Sequence, residues 1–242
     1  MKRAFYIIFL SALFNFLLAN STYAQTDTLL LTPLKSAKLN FTQQLGFQSR
    51  LFNGVKYPEY KTAYVGNAYY LSSGFQNAYL HYDDADFYNV PILFDIYKNL
   101  VIISYSADAA YMSLLNSKLD KFIVSGHTFI KIAEDSQQKT LKTGFYELLY
   151  PGKSQLLAMH SKDIQEEKEG ISIKYYFSEH TKYYLKKNNE FYSVSGESSI
   201  LSVFKDRKKE LEAFIKTNNI DFKNNAELAL AKVASYYDEL KK

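Results

Sequence analysis

The chain has 242 residues, no cysteine and a formal net charge of +4. The missing thiols exclude disulfides, thiolate metal sites, a cysteine nucleophile and a lipid-bearing cysteine. The even charge balance excludes an electrostatic footprint for nucleic acid, and the length suffices for a core in one domain or two without covalent staples.

Residues 1–24, "MKRAFYIIFLSALFNFLLANSTYA", place Lys2 and Arg3 before an apolar run and end in Thr22-Tyr23-Ala24. This is the order of a secretory signal peptide, and cleavage near Ala24 is expected, leaving a periplasmic or secreted chain. Losing Lys2 and Arg3 lowers the formal charge from +4 to +2. After Gln25 no apolar stretch reaches the ~20 residues that a membrane-spanning helix needs. Residues 25–195 are read as an antiparallel β region, with a first strand expected at "TLLLTPL" and a second at "KLNFTQQLGF".

From Arg50 to Val194 the turn signals are those of successive hairpins. Asn53-Gly54 and Asn188-Asn189 suit the positive φ angles of type I′ turns, Pro151-Gly152 suits a type II turn, and Lys98-Asn99 separates two apolar runs. Between turns the period is two: Ile171, Ile173, Tyr175 and Phe177 share one face of a strand, which implies a sheet with that side buried. Tyrosine and phenylalanine, 22 and 18 residues, pack well on such a pleated surface. The expected architecture is a meander, either barrel-like or folded as two layers.

Residues 196–242 change to helical spacing. Ser198 or Ser199 is expected to cap a first helix bearing Ile200, Val203 and Phe204, and Asp206 is a point where a second helix restarts before Leu211, Phe214 and Ile215. Asn225 is expected to cap a last helix that turns Leu230, Val233, Ala234 and Tyr237 to one side. Short helices need a partner surface, and the preceding sheet is the nearest. The fold class is therefore α+β, a mainly antiparallel β meander followed by a C-terminal helical unit packed on it.

Candidate sites are few. Asp83, Asp84 and Asp86 in "HYDDADFYN" have part of the spacing of a calcium loop, but no glycine follows, and the same residues suit a hairpin tip. His127 sits in "FIVSGHTFIKI", read as one strand that Gly126 bends, with Ser125 or Thr128 as conceivable nucleophiles. The other histidines, His81, His160 and His180, lack the i, i+4 spacing of a helical zinc pair. "GESSI" lacks the last glycine of a nucleophile elbow, and no phosphate loop is present. "KDRKKELE" mixes both signs on a helix, with Lys208 and Glu212 at i, i+4, and reads as a solvated face. No metal or cofactor is called for. Tyrosine doublets must send one ring inward and one outward, so Tyr70, Tyr176 and Tyr184, or their neighbours, are candidates for an exposed ligand-binding patch.

"YNVPILFDIYKNLVII", "SGHTFIKI", "GFYELLYPGK" and "KDRKKELEAFIKTNNIDF" occur in an order that resembles a group of secreted or periplasmic proteins of Bacteroidota without an assigned activity. The resemblance covers most of the chain after the leader. It implies export and the strand-then-helix order, and it carries over no site residue.

The function expected from these observations is a non-catalytic envelope protein that binds a protein, peptide or glycan. One alternative is an extracytoplasmic hydrolase with His127 as general base, decided by whether a carboxylate or hydroxyl reaches that imidazole. The other is a structural subunit of an envelope assembly.

Overall fold

Polar backbone groups of extended segments must find partners along the strand, and here they do so in one antiparallel sheet. The computed structural model describes residues 50–60, 64–104, 110–133 and 140–241. The expected leader and the strands expected at 28–34 and 38–47 lie outside these residues.

The strands are β1 (Val55–Lys56), β2 (Gln76–Tyr82), β3 (Ala85–Asp95), β4 (Leu100–Ser104), β5 (Tyr111–Ser113), β6 (Leu119–Val124), β7 (His127–Ile132), β8 (Gly144–Tyr150), β9 (Leu156–Glu169), β10 (Ser172–Lys187) and β11 (Glu190–Val194). Their order in the sheet is β1-β5-β4-β3-β2-β6-β7-β8-β9-β10-β11. Two meanders thus run in opposite directions from the central β2·β6 pair, one from β2 to β5 and the other from β6 to β11. The sheet curls without closing into a barrel, with the ring of Phe94 in β3 6.1 Å from that of Phe145 in β8 across three intervening strands. The sheet is single and open, because its ends, β1 and β11, do not pair with each other.

The turns explain most of the strand boundaries. Asp83 and Asp84 both have positive φ, 52° and 59°, and form the two-residue link of the β2–β3 hairpin. Asn188 and Asn189, at 51° and 68°, do the same between β10 and β11. Lys98-Asn99 lies in the β3–β4 turn, and Pro151-Gly152 in the β8–β9 connection. Ser125 (φ 51°) and Gly126 (φ 85°) link β6 to β7, so the stretch read as one bent strand is a hairpin and His127 opens its second strand. Asn53-Gly54 forms no hairpin. It leads into β1, which pairs with β5, and a Cβ on Gly54 would lie 2.2 Å from the Ser113 carbonyl oxygen. Glycine is needed there for close approach of two backbones.

One face of the sheet carries a core of Leu80, Tyr82, Phe94, Phe122, Phe129 and Phe145. Phe122 and Phe129 are directly cross-strand partners, and their rings stack at 4.8 Å. Farther along the same face, Leu156, Leu185 and Val194 form a second core with the helices α1 (Glu197–Val203), α2 (Lys208–Thr217) and α3 (Ala226–Glu239). The opposite face buries Tyr146, Leu157 and Tyr184.

The helical expectations hold with one shift. The cap of α1 is Gly196, and Ser199 contributes by accepting from the backbone N–H groups of Ser195 and Gly196. The helical path breaks after Val203 into a 3-10 turn, Lys205–Arg207, before α2. Asn225 accepts from the Leu228 N–H at 3.2 Å, and Leu230, Val233, Ala234 and Tyr237 are buried. Phe204 and Tyr237 stack at 3.7 Å and fasten α3 to the end of α1.

A strap of irregular chain, residues 64–71, bonds to two distant strands. Val65 exchanges backbone hydrogen bonds with Tyr175 and Phe177 of β10, while Ala68 and Tyr70 bond Ile96 and Phe94 at the end of β3. The strap brings Tyr70 into the first core, where its ring meets Phe129 at 5.1 Å.

Candidate functional site

Strand register assembles one polar cluster on the core face. Phe129 of β7 stands opposite Glu147 of β8, which stands opposite Ala158 of β9. Because side chains alternate, His127 and His160 share the face of Glu147 and lie diagonally on either side of it, within reach of long side chains. Thr181 of β10 stands opposite His160 and extends the row.

Glu147 is 4% exposed and bridges the two imidazoles. Its Oε1 lies 2.5 Å from Nδ1 of His127 and its Oε2 lies 2.7 Å from Nε2 of His160. Tyr70 also donates its hydroxyl to Oε2, at 3.2 Å. A buried carboxylate is costly unless its lone pairs are occupied, and three donors from three strands or straps occupy these. Burial acts to raise the Glu147 pKa, but the hydrogen bonds from His160 and His127 outweigh it and hold the carboxyl below its ordinary range. Burial and the charge of Glu147 push the Tyr70 phenol up, so it stays a neutral donor.

The two imidazoles differ. His160 is 8% exposed and has both nitrogens engaged, Nε2 with Glu147 and Nδ1 with the Thr181 hydroxyl at 3.2 Å. With Nε2–H given to Glu147, neutral His160 presents a lone pair at Nδ1 to the Thr181 hydroxyl. His127 is 35% exposed and uses only Nδ1. Its Nε2 has no hydrogen-bond partner among the described residues, and it is not among the buried unpaired polar atoms. A carboxylate on Nδ1 fixes the tautomer that leaves the lone pair on Nε2.

A second carboxyl, Glu227 in the first turn of α3, is close enough to both histidines and Glu147 to feel their charge. Burial and then the Glu147 charge raise its pKa, partly offset by the histidines. Side by side, one carboxyl is held ionised and another is pushed toward its neutral form. The arrangement can accept a proton at an open imidazole nitrogen whose orientation is set by a buried base.

The other sequence candidates fall elsewhere. Asp83 receives Lys118 at 3.1 Å, and Asp86 accepts from the Tyr79 hydroxyl at 2.7 Å and pairs with His81 Nδ1 at 2.9 Å. With Asp83 and Asp84 in the turn itself, the trio forms a hairpin tip, and no group of three or more His, Asp or Glu side chains placed to hold a metal ion occurs among the described residues. His180 lies near Asp163 on the exposed β10 face. Ser125 donates to Gln76 Oε1 at 2.8 Å, and Thr128 faces away from His127, so neither serves as its nucleophile.

Tyr70 and Tyr184 are 6% and 9% exposed, which corrects the expectation of an exposed patch built on them. Tyr70 is drawn inward by the strap, and Tyr184 packs on Tyr146 at 5.8 Å. Tyr176 is half-buried. An accessible aromatic ledge exists instead where the strap meets β10: Tyr60, Tyr64 and Tyr97 meet Phe177, Tyr175 meets Tyr64, and the Tyr64 and Phe177 centroids are 5.0 Å apart. Tyr97 is 41% exposed and Val65 62%.

Sequence reasoning missed Glu147. Its signal was present in "GFYELLY", where a lone acid falls on the same strand face as Phe145 and Leu149. No protein-family model, curated protein or solved structure matches the chain.

Proposed function

We propose that the protein is an exported interaction protein that grips a protein or peptide partner with the outer part of the β9–β10 ribbon and the aromatic ledge at its foot. The observation that carries this reading is the ribbon's overhang. β9 has no β8 neighbour beyond Ala158, and β10 has no β11 neighbour before Tyr183, yet the two strands stay paired out to Ser172↔Glu169. At about 3.3 Å per residue the overhang is about 35 Å long.

A ribbon that needed only solubility would end in polar residues. This one ends at Ile171, 106% exposed, with Ile173 49% exposed, which overturns the expectation that these two face the core. Aliphatic tips beside half-exposed rings suit a protein surface better than a sugar, and the ledge rings meet one another mainly edge to face. Charged neighbours such as Glu166, Glu167, Lys168 and Lys174 form a polar rim. The leader-like residues 1–24 and the resemblance to secreted Bacteroidota proteins support an envelope setting.

The test replaces Ile171 and Ile173 with serine and, separately, Tyr64 and Tyr175 with serine, and measures photo-crosslinking to envelope proteins from a probe placed at Gln165. Crosslinking to a single defined partner should fall at least tenfold while the melting temperature stays within a few degrees. Unchanged crosslinking would remove the reading. Fractionation of cells producing the full chain tests export directly, and retention of an uncleaved cytoplasmic product would count against it.

A further inference from the structure

The ribbon and ledge leave one chemically distinctive feature unused. His127 combines three properties that purely structural histidines seldom share: a buried carboxylate fixed on Nδ1, an unpartnered Nε2, and a ring one-third exposed. The carboxylate is itself immobilised, because His160 and Tyr70 occupy its other oxygen and Thr181 occupies the far side of His160. The base is therefore preorganised by two further layers of side chains.

We propose that His127 is the general base of a hydrolytic site for small, neutral esters, with Glu147 as its positioning residue. Nε2 takes a proton from a water molecule as the water oxygen bonds to the ester carbonyl carbon. The carbon–alkoxy bond then breaks, and the imidazolium returns that proton to the departing oxygen. The products are one carboxylic acid and one alcohol, and Glu147 remains ionised throughout. Water is the nucleophile because Ser125 is bonded to Gln76 and Thr128 points to the other face.

The surroundings select the substrate class. Glu147 sits on Nδ1 of His127, and Lys162, two residues beyond His160 on the same face of β9, is committed to the Tyr69 carbonyl at 2.7 Å and to Glu179 at 3.4 Å. A phosphate or carboxylate at Nε2 would meet the negative charge of Glu147 across the ring. The site is separate from the ribbon tip, so the recognition reading and this one stand or fall independently.

The experiment measures hydrolysis of p-nitrophenyl acetate and butyrate by the full chain, with p-nitrophenyl phosphate as the anionic control. His127→Gln should lower kcat/KM by about a hundredfold or more while the fold is retained, because Tyr70 and His160 still donate to Glu147 and the replaced ring is partly exposed. Glu147→Gln should lower kcat less, with KM nearly unchanged, since the imidazole keeps its place but loses the carboxylate that fixes its tautomer. His160→Gln, which keeps Glu147 in place but loosens it, reports on positioning without touching the base. Wild-type hydrolysis no faster than free imidazole at the same concentration would overturn the proposal, as would an undiminished rate in His127→Gln or equal turnover of the phosphate.

Discussion

Glu147 of β8 and His160 of β9 lie 2.7 Å apart on the only stretch of the described sheet where a carboxylate and two imidazoles replace apolar side chains between the two cores of one face. The polar bridge is thus built into the packing and does not sit on the surface.

Removing one member of this bridge strands the others. Glu147→Ala leaves two imidazole N–H groups and a phenol without an acceptor and should cost about 3–5 kcal/mol. Glu147→Gln keeps one acceptor and should cost about 1–3 kcal/mol. Because the folded carboxyl titrates lower than its reference value of 4.5, its stabilisation is present above that value and is lost as pH falls through the lower folded one. Urea midpoints from pH 6 down to pH 3 should fall steeply for the wild type and less steeply for Glu147→Gln. Parallel curves would show that the bridge is not linked to folding.

Glu227 has the opposite sign. A negative charge in the first turn of α3 gains from the helix dipole, yet burial and Glu147 outweigh that and raise the pKa above 4.5. A raised folded value means full stability below pH 4.5 and loss of stability as pH rises through it. Glu227→Gln should therefore melt above the wild type at pH 7 and converge with it near pH 4. A variant that is less stable at pH 7 would refute the assignment.

How much of this was legible in the residues follows from the range of each signal. Turns are local, so Lys98-Asn99, Asn188-Asn189 and the Asp83–Asp84 tip could be read from dipeptides, and Asn225 could be read as a cap. The cluster is not local: Tyr70, His127, Glu147 and His160 come together only through strand register and a strap that joins β3 to β10. Periodicity placed Ile171 and Ile173 on a buried face because alternation reports which residues share a side, not whether anything covers it. Asn53-Gly54 misled for a similar reason, since its glycine serves the approach to Ser113 rather than a positive φ.

Glycine substitutions separate those two uses. Gly54→Ala would place a Cβ 2.2 Å from the Ser113 oxygen and 2.7 Å from Met112 Cγ, and the backbone oxygen cannot move without breaking the β1·β5 pair. Overpacking of this kind costs about 1–3 kcal/mol. Gly126→Ala meets no atom within 4 Å, but its φ of 85° is unfavourable for a side chain, so about 1 kcal/mol is expected. Thermal melts of the two variants should rank Gly54→Ala as the more damaging, and local exchange at Val55 and Lys56 should rise only in that variant.

The helical unit gives the sharpest contrast between burial and capping. Leu230 is wholly buried among Leu156, Leu185 and Phe204, and Leu230→Ala should cost about 2–5 kcal/mol through lost contact and the cavity left behind. Asn225→Ala removes the acceptor for the Leu228 N–H and should cost about 1 kcal/mol. Hydrogen exchange distinguishes the mechanisms. The cap variant should lose protection in the first turn of α3 alone, whereas the Leu230 variant should lose it across α3 and at the strand ends that α3 covers, Leu156 and Leu185. Equal and uniform loss in both would mean that α3 opens as one unit with the sheet, and the cap would then have no separate role.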